Sequence, residues 1–368
     1  MRRRTDPANG FISVFHEKTG FYYRSNVIEQ GRDTGREPFM ARFPELLDVG
    51  IMGHCIHGMS GKCMSSRVQC YQNGLHIEQP NMTMEDFTSI VSQCRGKVYQ
   101  FALGGRGDPD QHEYFEDILK LCVENEIVPN FTSSGVGFTE KIAQLCKKYC
   151  GAVAVSWYRG EYTLEAIHML LAAGVKTNIH YVLGKQSIQE AIAHLECDDF
   201  PEGVNAVIFL LHKPVGLGEG GNVLTCENEK VSEFFTLVDG KKHTFKIGFD
   251  SCTVPGLFQF TKHIDFNSID TCEGARWSAY ITPDMKMLPC SFDCEDRRWC
   301  VDLRTHSIQE AWESKAFSAF RDILKRACPE CGNRGHCMGG CPIRREVVLC
   351  KKISGKTGVI TDKGYSLS

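Results

Sequence analysis

The sequence predicts an α/β protein in which parallel strands alternate with helices, followed by a small cysteine-rich C-terminal region. Three observations predict it. Six short apolar runs alternate with six stretches of helical periodicity between residues 46 and 250. The segments between the runs are long enough for parallel pairing through right-handed crossovers. Beyond about residue 250 the rhythm stops, and nine of the 19 cysteines fall between Cys272 and Cys350. Six strand–helix units fit an open, incomplete (β/α) barrel, and a doubly wound sheet has the same rhythm.

In chain order, Phe11–Tyr23 alternates around Lys18-Thr19-Gly20 and reads as a β-hairpin, and the charged stretch Gln30–Glu37 reads as a linker. Residues 1–45 are therefore a hairpin and linker. Leu46–Met52 is the first buried strand. Met84–Cys94 has apolar residues at helix spacing, with Thr83 and Asp86 as a capping pair. Strand Val98–Leu103, helix His112–Glu124, strand Ile127–Thr132, helix Thr139–Tyr149 and strand Ala152–Trp157 follow. Helix Thr163–Ala173 is stopped by Gly174, and strand Lys176–Leu183 comes next. Helix Ile188–Glu196 is expected to be capped by Ser187 with Glu190. Strand Asn205–Leu211 and helix Glu229–Val238 end the barrel-like part, residues 46–250. In the remainder, 251–368, short strands Ser278–Thr282 and Lys286–Leu288 flank a turn, and one helix runs Ile308–Lys325 behind Ser307 and Glu310. So little apolar sequence cannot build a core alone, and metal sites would supply the missing cohesion.

Composition narrows the function classes. The 368 residues carry 42 Lys+Arg and 45 Asp+Glu, a net charge of −3, which argues against a nucleic-acid partner. No apolar run approaches the ~20 residues of a membrane span. The Arg2-Arg3-Arg4 start has no apolar core behind it and does not read as a secretory signal. An odd number of cysteines cannot all pair within the chain, and clustered thiols in a reducing cytoplasm point to metal. The expected location is the cytoplasm.

The first strand runs into a loop carrying Cys55, Cys63 and Cys70. Chemistry in βα barrels sits at the C-terminal ends of the strands. Three thiolates leave one iron of a cubane cluster open to a ligand. A zinc site with His54 or His57 as fourth ligand is the alternative, although zinc favours shorter spacings. This loop, the Gly104-Gly105-Arg106-Gly107-Asp108-Pro109 turn after the second strand and the cysteine-rich tail together resemble a radical S-adenosylmethionine (radical SAM) enzyme with a SPASM-type extension. The resemblance covers about residues 46–350. The family's usual loop is Cys-x3-Cys-x2-Cys; this chain has Cys55-x7-Cys63-x6-Cys70.

The resemblance implies a partial (β/α)6 radical SAM barrel with a cysteine-rich SPASM-like domain. It implies that Gly104 and Gly105 bring backbone close to S-adenosylmethionine. Arg106 stands where the family has Glu, and Asp108 is the nearest acid for the methionine ammonium. Ser156 matches a residue that contacts the ribose and carboxylate, Arg159 is a candidate carboxylate clamp, and Asn178 and His180 lie on the strand that reaches the adenosine in some members. Gly216-Leu217-Gly218-Glu219-Gly220-Gly221 reads as a permissive loop over the barrel mouth, since a dinucleotide fingerprint would follow the first strand.

The C-terminal cysteines resemble the SPASM pattern: Cys328-x2-Cys331-x5-Cys337-x3-Cys341, then Cys350, preceded by Cys272 and Cys290. The resemblance implies two auxiliary [4Fe–4S] clusters, an outer one on Cys328, Cys331, Cys337 and Cys350, and an inner one on Cys272, Cys290 and Cys341. Cys252 is the preferred fourth ligand of the inner one, ahead of Cys294 and Cys300, and an iron left open for substrate is the other alternative. A zinc ribbon remains an alternative for this segment. Cys94, Cys122 and Cys146 fall on apolar helix faces as core residues. The resemblance implies reductive cleavage of S-adenosylmethionine to a 5′-deoxyadenosyl radical that abstracts hydrogen from a peptide or protein side chain, with electrons from a flavodoxin- or ferredoxin-type donor. The other readings are a zinc-stabilised, non-catalytic binding protein, or radical chemistry on RNA or a small metabolite.

Overall fold

A computed structural model of the chain describes residues 1–66, 69–75 and 79–354. The last residues of the expected 251–368 unit, 355–368, lie outside the described residues, as do 67–68 of the cysteine loop.

A parallel sheet organises the chain. Its strands are β1 (Leu46–Met52), β2 (Gln100–Gly105), β3 (Val128–Ser133), β4 (Val153–Ser156), β5 (Thr177–Leu183) and β6 (Ala206–Leu211). A seventh parallel strand, β7 (Lys246–Phe249), adds to β6 through Ala206↔Lys246. Its run is short and only half-buried because it is an edge, so it lacks the apolar signature of the other strands. The cysteine-rich part extends the other edge. Strand β8 (Ser278–Ile281) lies parallel to β1, with Tyr280 opposite Asp48, and β9 (Lys286–Leu288) and β10 (Val301–Asp302) continue antiparallel. The full order is β7-β6-β5-β4-β3-β2-β1-β8-β9-β10. Hydrogen bonding thus crosses the boundary that composition placed near residue 250.

Helices α1 (Met84–Cys94), α2 (Phe115–Glu124), α3 (Glu140–Tyr149), α4 (Glu161–Ala172), α5 (Ile188–Cys197) and α6 (Glu229–Gly240) cover the outer face. Thr83 caps α1 by accepting from the Asp86 N–H, and Thr139 caps α3 by accepting from Ile142. Helix α1 buries Phe87 and Ile90 completely in the core it shares with the sheet, where Phe87 meets the Phe101 ring edge-on with centroids 6.1 Å apart. Each such side chain stabilises by roughly 1.5–3 kcal/mol. The Ser187 side chain does not cap α5. Its hydroxyl turns back to the Val182 carbonyl at 2.7 Å, and Glu190 is drawn to Arg159. The long C-terminal helix is broken into α7 (Ile308–Glu313) and α8 (Lys315–Arg326), because Ser314 caps a new start by accepting from Phe317. Ser307 and Glu310 form the expected capping box. Trp312, fully buried, donates its indole N–H to the Ala41 carbonyl at 3.0 Å.

The N-terminal hairpin gains a third strand, Arg2–Asp6, beside Phe11–His16 and Phe21–Arg24. Arg4 donates to the Val98 carbonyl and stacks over Tyr99, and Ser13 donates to Glu45. These contacts lie at the strands' N-terminal ends. The opposite end carries the cysteine loop. No helix among the described residues is long and apolar enough to cross a membrane.

Candidate active site

Where β1 ends, its pairing with β2 shifts register between Gly50 and Met52, and the chain leaves the sheet at Gly53. A 3-10 turn, Gly58–Ser60, and a short helix, Lys62–Ser65, then carry Cys63. Gly74 sits between the outer two thiols. A Cβ there would come within 2.9 Å of the Cys55 Cβ, 3.6 Å of its Sγ and 3.8 Å of the Cys70 Sγ. The Cys63 thiol is pushed up to about 12, first by burial, then by Asp108, Cys55 and Cys70. The three loop thiols and one carboxylate therefore share a partly dehydrated space. Among the described residues, no three His, Cys, Asp or Glu side chains close on a single metal ion.

The turn after β2 builds one wall of that space. Gly107, at φ +122, lies so near the loop that a Cβ would sit 2.6 Å from the His54 carbonyl oxygen. Arg106 turns away from the thiols and grips the cysteine loop. It donates from Nε to the Gln72 carbonyl at 2.8 Å and from Nη1 to the Gly53 carbonyl at 3.2 Å. Asp108 points the other way. It accepts from the Ser134 backbone N–H at 2.9 Å and from its hydroxyl, and burial raises it to about 6. His57 Nε2 stands 3.4 Å from Asp108, yet no hydrogen bond forms. Asp110 is also raised to about 6, by burial and then by Asp108.

The lumen face of the barrel is polar. Gln100, Asn130, Thr132, Ser156, Asn178 and His180 alternate with the buried residues that face the helices. Asn130 donates to Gln100 at 3.0 Å, the Thr132 hydroxyl meets His180 Nδ1 at 3.2 Å, and Asn178 accepts from Asn205 at 2.8 Å. Burial lowers His180 to about 4, so its imidazole is neutral. Ser156 lies opposite His180 in register. Arg159, at the end of the same segment, is engaged outside the lumen. Its Nε donates to both Glu190 oxygens at 2.7 Å. Burial opposes ionisation of Glu190, but hydrogen bonds from His194 and Arg159 hold it down to about 2. The Gly216–Gly221 loop braces the third cysteine: Leu217 N–H donates to the Cys70 carbonyl at 2.9 Å.

The C-terminal thiols fall into two groups. Cys252 interacts directly with the Cys341 thiol and is held well above the usual range by that contact and by burial. Cys272 and Cys290 are both within the electrostatic range of Cys252. Cys294 lies elsewhere, lining a small cavity with Arg106, Gln72 and Tyr280. Cys337 is raised to about 11 by burial and then by Cys350, Cys328 and Cys331. Cys94, Cys122 and Cys146 are buried in the core.

Several residues of the mouth escaped sequence reasoning. Asp48 is a lone charge inside an apolar strand, a signal that was legible. Ser134, Tyr158 and the buried Lys213–Asp250 pair, 2.5 Å apart, carry no motif.

The family model described as SPASM, an iron-sulfur cluster-binding domain, matches residues 272–338. No curated protein sequence matches the chain. Among solved structures, Streptococcus suis SuiB bound to precursor peptide SuiA is similar over 85% of this chain and 76% of that one, at 15% identity and a TM-score of 0.64. SuiB bound to S-adenosylmethionine aligns over 85% of this chain and 78% of that one, at 15% identity and a TM-score of 0.61. Native anSMEcpe with bound AdoMet and Cp18Cys peptide aligns over 83% of this chain and 92% of that one, at 15% identity and a TM-score of 0.57. Such identities speak to fold rather than chemistry. The chain thus carries a SPASM-type iron-sulfur segment over residues 272–338, and its fold is similar to the folds of SuiB and anSMEcpe.

Proposed function

We propose that the chain is a radical SAM/SPASM enzyme acting on a peptide or protein side chain. The observation that carries this reading is the gathering of Cys55, Cys63 and Cys70 at the C-terminal end of β1, against Gly104–Asp108 and a polar lumen. The donor set fits an iron–sulfur cluster with one iron left for S-adenosylmethionine: three thiols, a glycine-lined approach and a nearby carboxylate. When bound, the pair supplies one-electron cleavage to a 5′-deoxyadenosyl radical that takes a hydrogen atom.

The chain's own residues do the rest. Asp108, held by the Ser134 N–H, would receive the methionine ammonium. Gly104 would leave the backbone open to it, since a Cβ there would meet nothing within 4 Å, whereas Gly105 packs against Met52, whose carbonyl oxygen a Cβ would approach to 2.4 Å. Ser156, Asn178 and His180 line the lumen toward the nucleoside. Arg159, spent on Glu190, is not assigned a cofactor contact. The inner thiol set, Cys252, Cys272, Cys290 and Cys341, and the outer set, Cys328, Cys331, Cys337 and Cys350, would hold two auxiliary clusters. A flavodoxin- or ferredoxin-type donor would supply electrons. The peptide class draws support from the peptides in the SuiB and anSMEcpe complexes.

The test is anaerobic reconstitution. About twelve iron and twelve sulfide per chain are expected from three cubanes. Cys63→Ala should abolish S-adenosylmethionine cleavage, whereas Cys331→Ala should retain some uncoupled cleavage. Unimpaired cleavage in both variants would overturn the cluster assignment.

A further inference from the structure

One carboxylate of the lumen face has no assigned work. Asp48 lies on the lumen face of β1, between the buried Leu47 and Val49 that face the helices. In register it has Ala102 on one side and Tyr280 on the other. Among the described residues its carboxylate makes no hydrogen bond and no ion pair, and burial alone raises it to about 7. Its other neighbours are Glu273, Tyr71 and Cys290.

Among the described residues, the cations of the surrounding segments are committed elsewhere. Lys213 is 2.5 Å from Asp250, Arg106 holds the cysteine loop, Arg24 pairs with Asp270, and Arg276 donates to the Phe39 carbonyl at 2.7 Å. Asp48 is half-buried, and its register neighbours are small Ala102 on one strand and aromatic Tyr280 on the other. Tyr280 is its cross-strand neighbour, and Tyr71 packs on Phe292 with ring centroids 5.1 Å apart while remaining 42% exposed. An unpaired carboxylate among aromatic faces is a site for an organic cation, because it repays the desolvation of the charge and the rings attract the same group.

We propose that Asp48, with Tyr71 and Tyr280 as flanking walls, binds a basic side chain of the substrate, a lysine ammonium or an arginine guanidinium, inside the barrel. This rests on the reading of the lumen as the substrate chamber and narrows that substrate to a peptide with a basic residue at or beside the reacting position. Asp108, already hydrogen-bonded by Ser134, is left for the cofactor.

The test uses the reconstituted full chain in anaerobic equilibrium dialysis, with N-acetyl-lysine amide, N-acetyl-arginine amide and the uncharged N-acetyl-norleucine amide as probes. Wild type should retain both basic probes at least about tenfold better than the norleucine probe, the ratio that ~1.4 kcal/mol of charge pairing provides. Asp48→Asn should reduce that preference to parity at unchanged iron content. Ala102→Met, which keeps the carboxylate and fills the space beside it, should lower retention of both basic probes. No preference in wild type, or a preference that survives Asp48→Asn, overturns the proposal. S-adenosylmethionine cleavage is measured on the same samples. Cleavage without basic-probe preference removes this inference alone, whereas preference without cleavage removes the proposed reaction and leaves the cation site.

Discussion

Replacing Arg106 by Ala isolates the role of the guanidinium in the turn after β2. The guanidinium bridges two parts of the cysteine loop, with a 2.8 Å charge-assisted bond to the Gln72 carbonyl and a longer 3.2 Å bond to Gly53. The first is worth roughly 1.5–3 kcal/mol and the second about 1 kcal/mol, since their loss strands buried carbonyls. The sum, about 3 kcal/mol, corresponds to about a hundredfold rise in local opening. Hydrogen exchange read on peptides covering residues 53–66 and 69–75 should show that loss of protection. The core strands and the helix around Trp312 should keep theirs, because the Arg106 guanidinium donates no hydrogen bond to them. Undiminished protection of the loop would refute the clamp. A loss spread evenly over the whole chain would refute its locality.

Three further outcomes follow from the same geometry. Asp48→Asn should stabilise the protein against denaturant with a pH signature. A raised carboxylate costs nothing below its unfolded value near 3.8 and costs most above about 7, so the gain should reach at most about 4 kcal/mol near neutral pH and fade in acid; a gain independent of pH would contradict this. His180→Gln should remove a slope of opposite sense: the lowered imidazole contributes stability that is full above about 6.5 and lost as pH falls toward about 4, up to about 3 kcal/mol, visible as the difference between variant and wild-type midpoints. Cys252→Ser should lower the iron content of reconstituted protein, whereas Cys294→Ser should leave it unchanged, because only Cys252 touches the Cys341 thiol; equal iron in both would return the fourth inner ligand to an open question.

Much of this protein was legible in its order of residues. Strand–helix alternation showed the parallel sheet, because burial on both faces writes continuous apolar runs and helices write a 3.6-residue period. The C-terminal cysteine pattern was equally plain, because an iron-sulfur cluster-binding segment is written in residue type and spacing. Tertiary structure decided what depends on distance. Ser187 and Glu190 look like a cap, yet Arg159 competes successfully for the carboxylate from another loop. Arg106 looks like a failed cofactor ligand, yet it holds two carbonyls of the loop before it. Strand β7 is short and half-buried, so only pairing with β6 reveals it. Asp48 shows most clearly where the division falls: its sequence neighbours mark it as a charge in a buried strand, but only the sheet's register, with Tyr280 on one side and Ala102 on the other, aims it into the lumen, without a partner among the described residues. Local pattern encodes which face a side chain takes, whereas its partners are set by chain segments hundreds of residues away.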